Sequence, residues 1–227
     1  MPIRIFPILL LCFTLVACAS KHLKPDGVSA SSLTSTNGIL VGSFARSPDG
    51  PVYYSQTFYF KNVETGEVRQ IKAQPTFNPY TGKTPDDFRT ESSAGAVFVF
   101  SLPAGPYTFH NFRLYQANGN FQQNWSSKED YSIPFEIQPN KVNYVGEIKL
   151  DALKGRNFFG MAVPAGGVWF VSDESARDVG ILQKTRADIP VSNMVSVIPA
   201  RKEVFTPLVV LPSEMNDYLA RTKKPQQ

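Results

Sequence analysis

Cysteine and histidine are almost absent from this chain of 227 residues, which carries two of each. Both cysteines, Cys12 and Cys18, lie in the N-terminal segment, so no disulfide framework can cross a folded domain. A structural zinc site needs about four Cys or His ligands, more than the rest of the chain supplies. With His22 in a polar N-terminal stretch, His110 is left as the one histidine that a catalytic triad could use.

Other chemical motifs are missing as well. The sequence contains no GxSxG elbow, no Walker loop and no GxGxxG turn, so neither nucleophilic hydrolysis nor nucleotide binding has a motif to rest on. Charged residues make up 19% of the chain, and the net charge of +4 is too small and too scattered for nucleic-acid binding. We therefore expect no catalytic set, no cofactor, no metal ion and no nucleic-acid partner.

Three acidic pairs remain as candidates for chemistry. Each pair falls in a predicted loop or at a predicted helix start, where carboxylates usually serve turns and the helix dipole. An envelope hydrolase is therefore the third-ranked function. The pairs are Asp86 with Asp87, Glu129 with Asp130, and Asp173 with Glu174.

Long apolar runs are also lacking, with one exception at the N-terminus. The segment "FPILLLCFTLVAC" ends at Cys18, follows Arg4, and is shorter than the roughly 20 residues that a membrane-spanning helix needs. A basic start, a short apolar run and small residues are typical of a secretory signal peptide. We expect residues 1–17 to be such a signal.

Two cleavage sites compete at the end of this run. Ala17 and Ala19 fit the small-x-small rule of an ordinary signal peptidase, which would discard Cys18 with the signal. Leu15, Val16, Ala17 and Cys18 instead resemble a bacterial lipobox, which implies cleavage before Cys18 and fatty acyl chains, palmitate among them, on that residue. The sequence favours the lipobox. Ala19 is not the aspartate that resembles an inner-membrane retention signal, so we expect a lipid anchor in the outer membrane, with the periplasmic or the surface face left open.

Residues 18–38 follow as a predicted tether. They are rich in Ser, Thr, Gly and Lys and poor in large apolar residues. The 20 residues from Ala19 would have a typical reach of roughly 22 to 27 Å as a flexible chain. This tether would hold the folded part away from the lipid surface.

Residues 39–151 show the pattern of an all-β domain. Short apolar runs such as "GILVGSFARS", "VYYSQTFYFKN" and "AGAVFVFSLPAG" are bounded by turn formers. In the last predicted strand, strict alternation places one set of residues on the core face and leaves Val145 as an apolar residue on the outer face. The core-facing set is Val142, Tyr144, Gly146, Ile148 and Leu150.

Two segments carry a resemblance to a known architecture. "LPAGPYTF" at 102–109 and "FEIQPNKVNYVGEIKL" at 135–150 resemble the closing strands of prealbumin-like and carboxypeptidase-regulatory-like sandwiches, which also occur in uncharacterised bacterial lipoproteins. The resemblance implies an antiparallel β-sandwich of Ig-like architecture and no catalytic residues. Asn140 stands where glycine is common in the closing turn, and asparagine tolerates the left-handed conformation needed there.

Residues 152–227 show a different pattern. "NFFGMAVPAGGVWFVSD" predicts one more hairpin, and "ESARDVGILQKTRAD" predicts a helix that buries Ala176, Val179 and Leu182. Two short strands and a flexible tail would follow. Periodicity leaves two alternatives open, an extension of the sandwich or a small α+β annex.

Aromatic residues in two predicted loops indicate a contact surface. Tyr80, with Phe77 and Phe88, lies in the first loop, and Phe121 and Trp125 lie in the second. The leading hypothesis is a non-enzymatic envelope lipoprotein that binds another envelope or secretion-apparatus protein. The alternative is a lipoprotein that binds glycan, cell wall or peptide through these aromatics.

Overall fold

The computed structural model describes residue 23 and residues 27–76, 82–118, 121–127, 131–156, 159–199 and 209–210. Strands β1 to β6 are Asn37–Arg46, Ser55–Asn62, Val68–Ala73, Phe88–Arg89, Ala94–Pro103 and Gly105–Asn118. Strands β7 to β12 are Phe121–Ser126, Ile133–Ile137, Val142–Arg156, Ala162–Ser172, Met194–Ser196 and Val209–Val210. Helix α1 is Ser175–Thr185, and two short 3-10 helices are Ala30–Ser32 and Val191–Asn193.

The described part of the protein is mainly β, with 54% of it in strands and 11% in helices, which confirms the predicted class. The first sheet has the order β12-β10-β9-β1-β5-β4, with β11 also paired to β9. The second sheet has the order β3-β2-β6-β7, with β8 also paired to β6. All pairs of the second sheet are antiparallel, whereas the first is mixed because β9 runs parallel to β1.

The main core lies between the two sheets and is largely aromatic. Alternate residues of β1 and β5 point into it, as do those of β2 and β6, which is the period-2 pattern expected of strands. Trp169 of β10 lies at its centre, where its ring is 5.3 Å from that of Phe44 and 5.0 Å from that of Phe58. Residues from both sheets therefore share one hydrophobic core.

A second, smaller core lies on the opposite face of the first sheet. Helix α1 covers this face, and Leu182 and Ile189 pack there against branched side chains of the strands. The predicted helix is confirmed, but its buried face differs from the prediction because Ala176 is exposed and Asp178 is buried. The members of this core are Val28, Ile39, Val41, Val97, Val99, Val142, Tyr144, Leu182 and Ile189.

Strand β9 departs from the predicted alternation because it contains a β-bulge. Val41 of β1 pairs with Tyr144, but Ser43 pairs with Glu147, so β9 holds one extra residue. Gly146 has a φ of +96°, a conformation that favours glycine. The bulge turns Val145 into the inter-sheet core and leaves Tyr144 and Glu147 on the helix side. The prediction that Tyr144 and Ile148 share one face was therefore wrong.

The C-terminal strands join the first sheet. β10 pairs antiparallel with β9, β11 pairs parallel with the start of β9, and β12 pairs with β10. The domain boundary predicted after residue 151 falls inside β9, whose last residue is Arg156.

Part of the predicted tether packs against the folded body. Val28 is buried in the core beneath helix α1, and the Ala30 backbone N–H donates to the Asp188 carbonyl at 3.1 Å. Leu23 is buried too, and its carbonyl accepts from the Val99 backbone N–H at 2.9 Å. A backbone group of β5 that faces away from β1 is thereby satisfied, as buried sheet edges require. Apolar side chains at these two positions hold the segment down, so the extent predicted for the tether, to residue 38, is too long.

Among the described residues, no helix has the length and apolar character needed to cross a membrane.

Candidate functional site

The predicted contact residues are only partly within the described structure. Cys18 and Tyr80 lie outside the described residues, as does Phe77. The backbone of Phe121 pairs with that of Asn118, so the predicted second loop is in fact strand β7 in this region. Phe88 is buried in the two-residue strand β4 and does not form an exposed loop surface.

Trp125 lies in β7 and is half-buried. Its ring stands edge-on to that of Tyr53, with 5.3 Å between the centroids. The Tyr53 hydroxyl donates to the Gly166 carbonyl at 2.7 Å and accepts from the Gly166 N–H at 2.8 Å. Gly166, with a φ of +90°, belongs to a bulge of β10, and a Cβ placed there would lie 3.7 Å from the Trp125 ring. Tyr53 and Trp125 therefore brace the base of the β9–β10 hairpin.

The environment of Tyr53 matches this structural role. Burial raises the pKa of its hydroxyl to about 12, although the bond to Gly166 acts in the opposite direction. The phenol therefore stays neutral at physiological pH, and its proton remains available for the Gly166 carbonyl.

The acidic pairs within the described residues make structural bonds. Asp86 receives two hydrogen bonds from the Arg46 guanidinium, at 2.7 and 2.8 Å. Asp87 accepts from the Val97 backbone N–H at 2.9 Å. Asp173 accepts from the Ser175 N–H at 2.9 Å just before helix α1. Glu129 and Asp130 lie outside the described residues.

His110 occupies a bulge in β6. Tyr59 of β2 pairs with Asn111 and the next residue, Phe60, pairs with Phe109, so His110 is the extra residue between them. The bulge explains why Phe109 and Phe112, three residues apart, are both buried in the inter-sheet core. The His110 ring is 6.4 Å from that of Tyr59.

A network of buried polar and charged residues connects helix α1 to the first sheet, and we call it the ionic network. Asp178 is fully buried and accepts hydrogen bonds from the Ser43 hydroxyl at 2.7 Å and the Tyr144 hydroxyl at 2.9 Å. Arg177 donates to the other Asp178 oxygen at 2.7 and 2.9 Å. The members of the ionic network are Ser43, Ser93, Tyr144, Glu147, Arg177 and Asp178.

Arg177 connects the two carboxylates of the network. One of its nitrogens donates to Glu147 at 2.8 Å and another to the Ser43 hydroxyl at 2.8 Å. Glu147 also accepts from the Ser93 hydroxyl at 3.0 Å. The guanidinium lies 3.7 Å from the centre of the Phe88 ring, a distance typical of a cation–π contact.

Burial is the largest influence on the pKa values of Glu147, Tyr144 and Arg177 in the network. Burial raises the pKa of Glu147, and the attraction of Arg177 offsets only part of this effect. Burial and the neighbouring Asp178 also raise the pKa of Tyr144, which keeps its phenol protonated. Burial alone would lower the pKa of Arg177, but Asp178 and Glu147 raise it overall.

Ser43 does not have the surroundings of a nucleophile. Its hydroxyl is fully buried under helix α1 and donates its proton to Asp178. An activated serine needs open space beside its oxygen for a carbonyl substrate, and the fully buried Ser43 side chain has none. The ionic network therefore fastens the helix to the sheet. The spacing of Asp178 and Leu182 on one helical face was the signal in the sequence, but an aspartate there is ordinarily expected to face solvent.

The β9–β10 hairpin ends in exposed apolar side chains. Beyond Ala152, the described partner of β9 is β10 alone, through the pairs Lys154 with Pro164 and Arg156 with Ala162. Phe159 is 79% exposed and Met161 is 58% exposed. Both large side chains thus lie at the surface of the turn.

Two cations border these apolar residues. Lys154 and Arg156 are exposed on the β9 side, and Arg156 donates to the Gly160 carbonyl at 3.3 Å, which closes the turn. We call Lys154, Arg156, Phe159 and Met161 the hairpin tip. The segment was predicted only as a hairpin, and its apolar turn residues were the signal for an exposed apolar surface that sequence reasoning missed.

Within the part of the chain that the structure describes, no group of three or more His, Cys, Asp or Glu side chains is placed to hold a metal ion.

No protein-family model matches the chain, and no curated protein is significantly similar to it. Among solved structures, a leucine-rich repeat protein from Bacteroides thetaiotaomicron aligns with a TM-score of 0.31 and 11% identity. The alignment covers 52% of this chain and 14% of that one. A likeness at this level supports no conclusion about fold or function.

Proposed function

We propose that this protein is a lipid-anchored envelope protein of the outer membrane, with a prealbumin-like β-sandwich that acts by contact and not by catalysis. The observation that carries the contact function is the hairpin tip, where Phe159 and Met161 lie exposed at the end of a two-stranded arm. Exposed apolar side chains grouped in this way are typical of binding sites.

The sandwich assignment has its own support. The two sheets share one aromatic core, and the turn before β9 has Asn140 at a φ of +54°, as the resemblance in this turn implies. The parallel pairing of β1 with β9 departs from the antiparallel sandwich that was predicted, because it makes the first sheet mixed.

The anchor proposal rests on the lipobox-like residues that end at Cys18. If Cys18 carries the lipid, four residues separate it from the buried Leu23. Five extended residues span at most about 18 Å, so the body would lie close to the bilayer instead of at the end of a long tether.

Intact mass of the purified protein tests the anchor. We expect a chain that begins at Cys18 and carries acyl chains, and a Cys18→Ser variant that loses both the added mass and the membrane fraction. An unmodified wild-type chain beginning at Ser20 would refute the anchor.

A second candidate function, glycan binding, is favoured by the surface around Trp125. Gln122, Gln123 and Asn124 precede it on β7 and are exposed. Of these amides, Gln123 shares the strand face of Trp125, and an aromatic ring beside an amide suits a sugar because the ring packs on the apolar face while the amide meets hydroxyls. Binding to a glycan array that is lost in Trp125→Ala but kept in a Phe159→Ser variant would support this candidate over the hairpin tip.

A further inference from the structure

We propose that the hairpin tip binds the surface of an anionic phospholipid bilayer, with Phe159 and Met161 inserted among the lipid headgroups and Lys154 and Arg156 against the phosphates. The inference rests on the proposed function in one respect: an anchored chain keeps the tip near a membrane.

The shape of the tip favours a lipid surface over a protein. From Ala152 to Arg156 the β9 arm extends four residues, or roughly 13 Å at the usual rise of a strand. A stable protein interface buries about 800 Å² on each partner and uses about 20 to 30 residues a side. The end of a two-stranded arm, whose described residues include two large exposed apolar side chains, offers much less, whereas shallow insertion into the interface needs only a few aromatic or aliphatic residues.

The charge around the tip fits anionic lipids. No Asp or Glu occurs between Ala152 and Ser172, while Lys154 and Arg156 border the exposed apolar residues. The nearest acid in the sequence, Asp151, is paired with Lys149 at 3.4 Å. Each cation near an anionic bilayer surface strengthens binding by about fivefold.

The arm is built to present its end firmly. The Tyr53 hydroxyl makes two hydrogen bonds with Gly166 at the base of the arm, and Arg156 closes its turn through Gly160. Such bracing lowers the conformational entropy lost on binding. A second contact with the same bilayer would add to the lipid anchor, because tethering raises the effective concentration of the tip at the surface.

Vesicle binding by a chain without acyl groups tests the proposal separately from the anchor. The background is the full chain with Cys18→Ser, and the probe is vesicles of phosphatidylethanolamine and phosphatidylglycerol, with pure phosphatidylcholine vesicles as the neutral comparison. We expect Phe159→Ser with Met161→Ser to weaken binding to the anionic vesicles at least tenfold.

Matched controls come from the same chain. Val63 and Val68 are 57% and 54% exposed and far from the tip in the chain, so Val63→Ser with Val68→Ser should change vesicle binding less than twofold. Lys154→Gln with Arg156→Gln should weaken binding to anionic vesicles by roughly twenty-five-fold and reduce its salt dependence. Lys83→Gln with Lys184→Gln, which alters two exposed cations elsewhere, should leave it nearly unchanged.

A Phe159→Trp variant reports insertion directly. Its fluorescence should shift to the blue when anionic vesicles are added and stay unshifted with neutral ones. Equal vesicle binding by the tip variant and the valine control, or an emission of the Phe159→Trp variant that anionic vesicles leave unshifted, would overturn the proposal. Loss of a protein partner with unchanged vesicle binding would also overturn it and assign the tip to a protein.

Discussion

The two faces of the first sheet are buried by different chemistry. Toward the second sheet, the strands present Phe and Trp side chains, and Trp169 contacts the rings of Phe44, Phe58 and Phe112. Toward helix α1, they present branched aliphatic residues and then, at one end, the ionic network around Asp178. The inter-sheet core is stabilised by buried apolar area and close packing. The core beneath the helix has, in addition, hydrogen bonds to buried charged side chains.

The two cores therefore contribute differently: one to the stability of the fold, the other to the position of helix α1 on the sheet. Apolar packing of the inter-sheet core is non-directional and scales with buried area. A buried carboxylate stabilises the fold only when all its hydrogen-bond and ion-pair partners are in place. The partners of Asp178 on β1 and β9 therefore allow only one position of helix α1 relative to these strands. We infer that the aromatic core supplies most of the folding free energy and that the network fixes where the helix lies.

The largest effect should follow from Trp169→Ala. Removal of a fully buried indole from the centre of the inter-sheet core should cost about 4 kcal/mol of unfolding free energy, measured by denaturant titration. Trp125→Ala is the matched control, since Trp125 is only half-buried, and it should cost clearly less. Equal losses for the two variants would show that the base of the hairpin arm is as important to stability as the core.

Asp178→Asn should have the next largest effect. The change leaves Arg177 without its closest carboxylate and disturbs the bonds to Ser43 and Tyr144, which should cost about 3 kcal/mol. Denaturant titration measures the loss, and hydrogen exchange should locate it in helix α1. Asp188→Asn, in the exposed pair with Arg186, should change the melting temperature little. A stable Asp178→Asn protein with an unaltered helix would refute the docking role.

The Tyr53→Phe variant measures how much the buried Tyr53 hydroxyl contributes to the unfolding free energy. Loss of both bonds to Gly166 leaves a backbone N–H and carbonyl short of partners and should cost about 1.5 kcal/mol. The variant should also raise the proteolytic sensitivity of the β9–β10 hairpin, because its base is no longer fixed. An unchanged cleavage rate would indicate that side-chain packing, and not these two hydrogen bonds, holds the arm.

Glu147→Gln should have the smallest effect, below about 1 kcal/mol at neutral pH, and its sign should depend on pH. Burial raises the pKa of Glu147 above its ordinary 4.5, so the folded chain binds this proton more tightly than the unfolded chain does. The wild type therefore loses stability as pH rises through the raised pKa, whereas the glutamine variant does not titrate.

Melting temperatures of the two proteins between about pH 4.5 and 7.5 measure this linkage. The difference, variant minus wild type, should grow as pH rises. A difference that shrinks would mean that the attraction of Arg177 exceeds the cost of burying Glu147.

Residues 39–151 were the part of the fold most readily predicted. Short apolar runs bounded by turn formers identified β1, β2 and β5, and Asn140 identified the turn before β9, because side-chain pattern and turn conformation are local properties. The predicted alternation failed at the bulge with Gly146, and the His110 bulge was not anticipated, because an extra residue in one strand appears only when its partner strand is known.

The sequence by itself determined the β-rich class, the helix near residue 175, and the scarcity of cysteine and histidine, since composition and short-range patterns carry that information. Tertiary structure alone decided that Leu23 and Val28 pack on the body, that Trp125 braces an arm, and that Asp178 is buried. It also brought Ser43, Glu147 and Arg177 together from distant parts of the chain. Whether a polar side chain faces solvent or a partner depends on what is packed opposite it, and no local pattern records that neighbour.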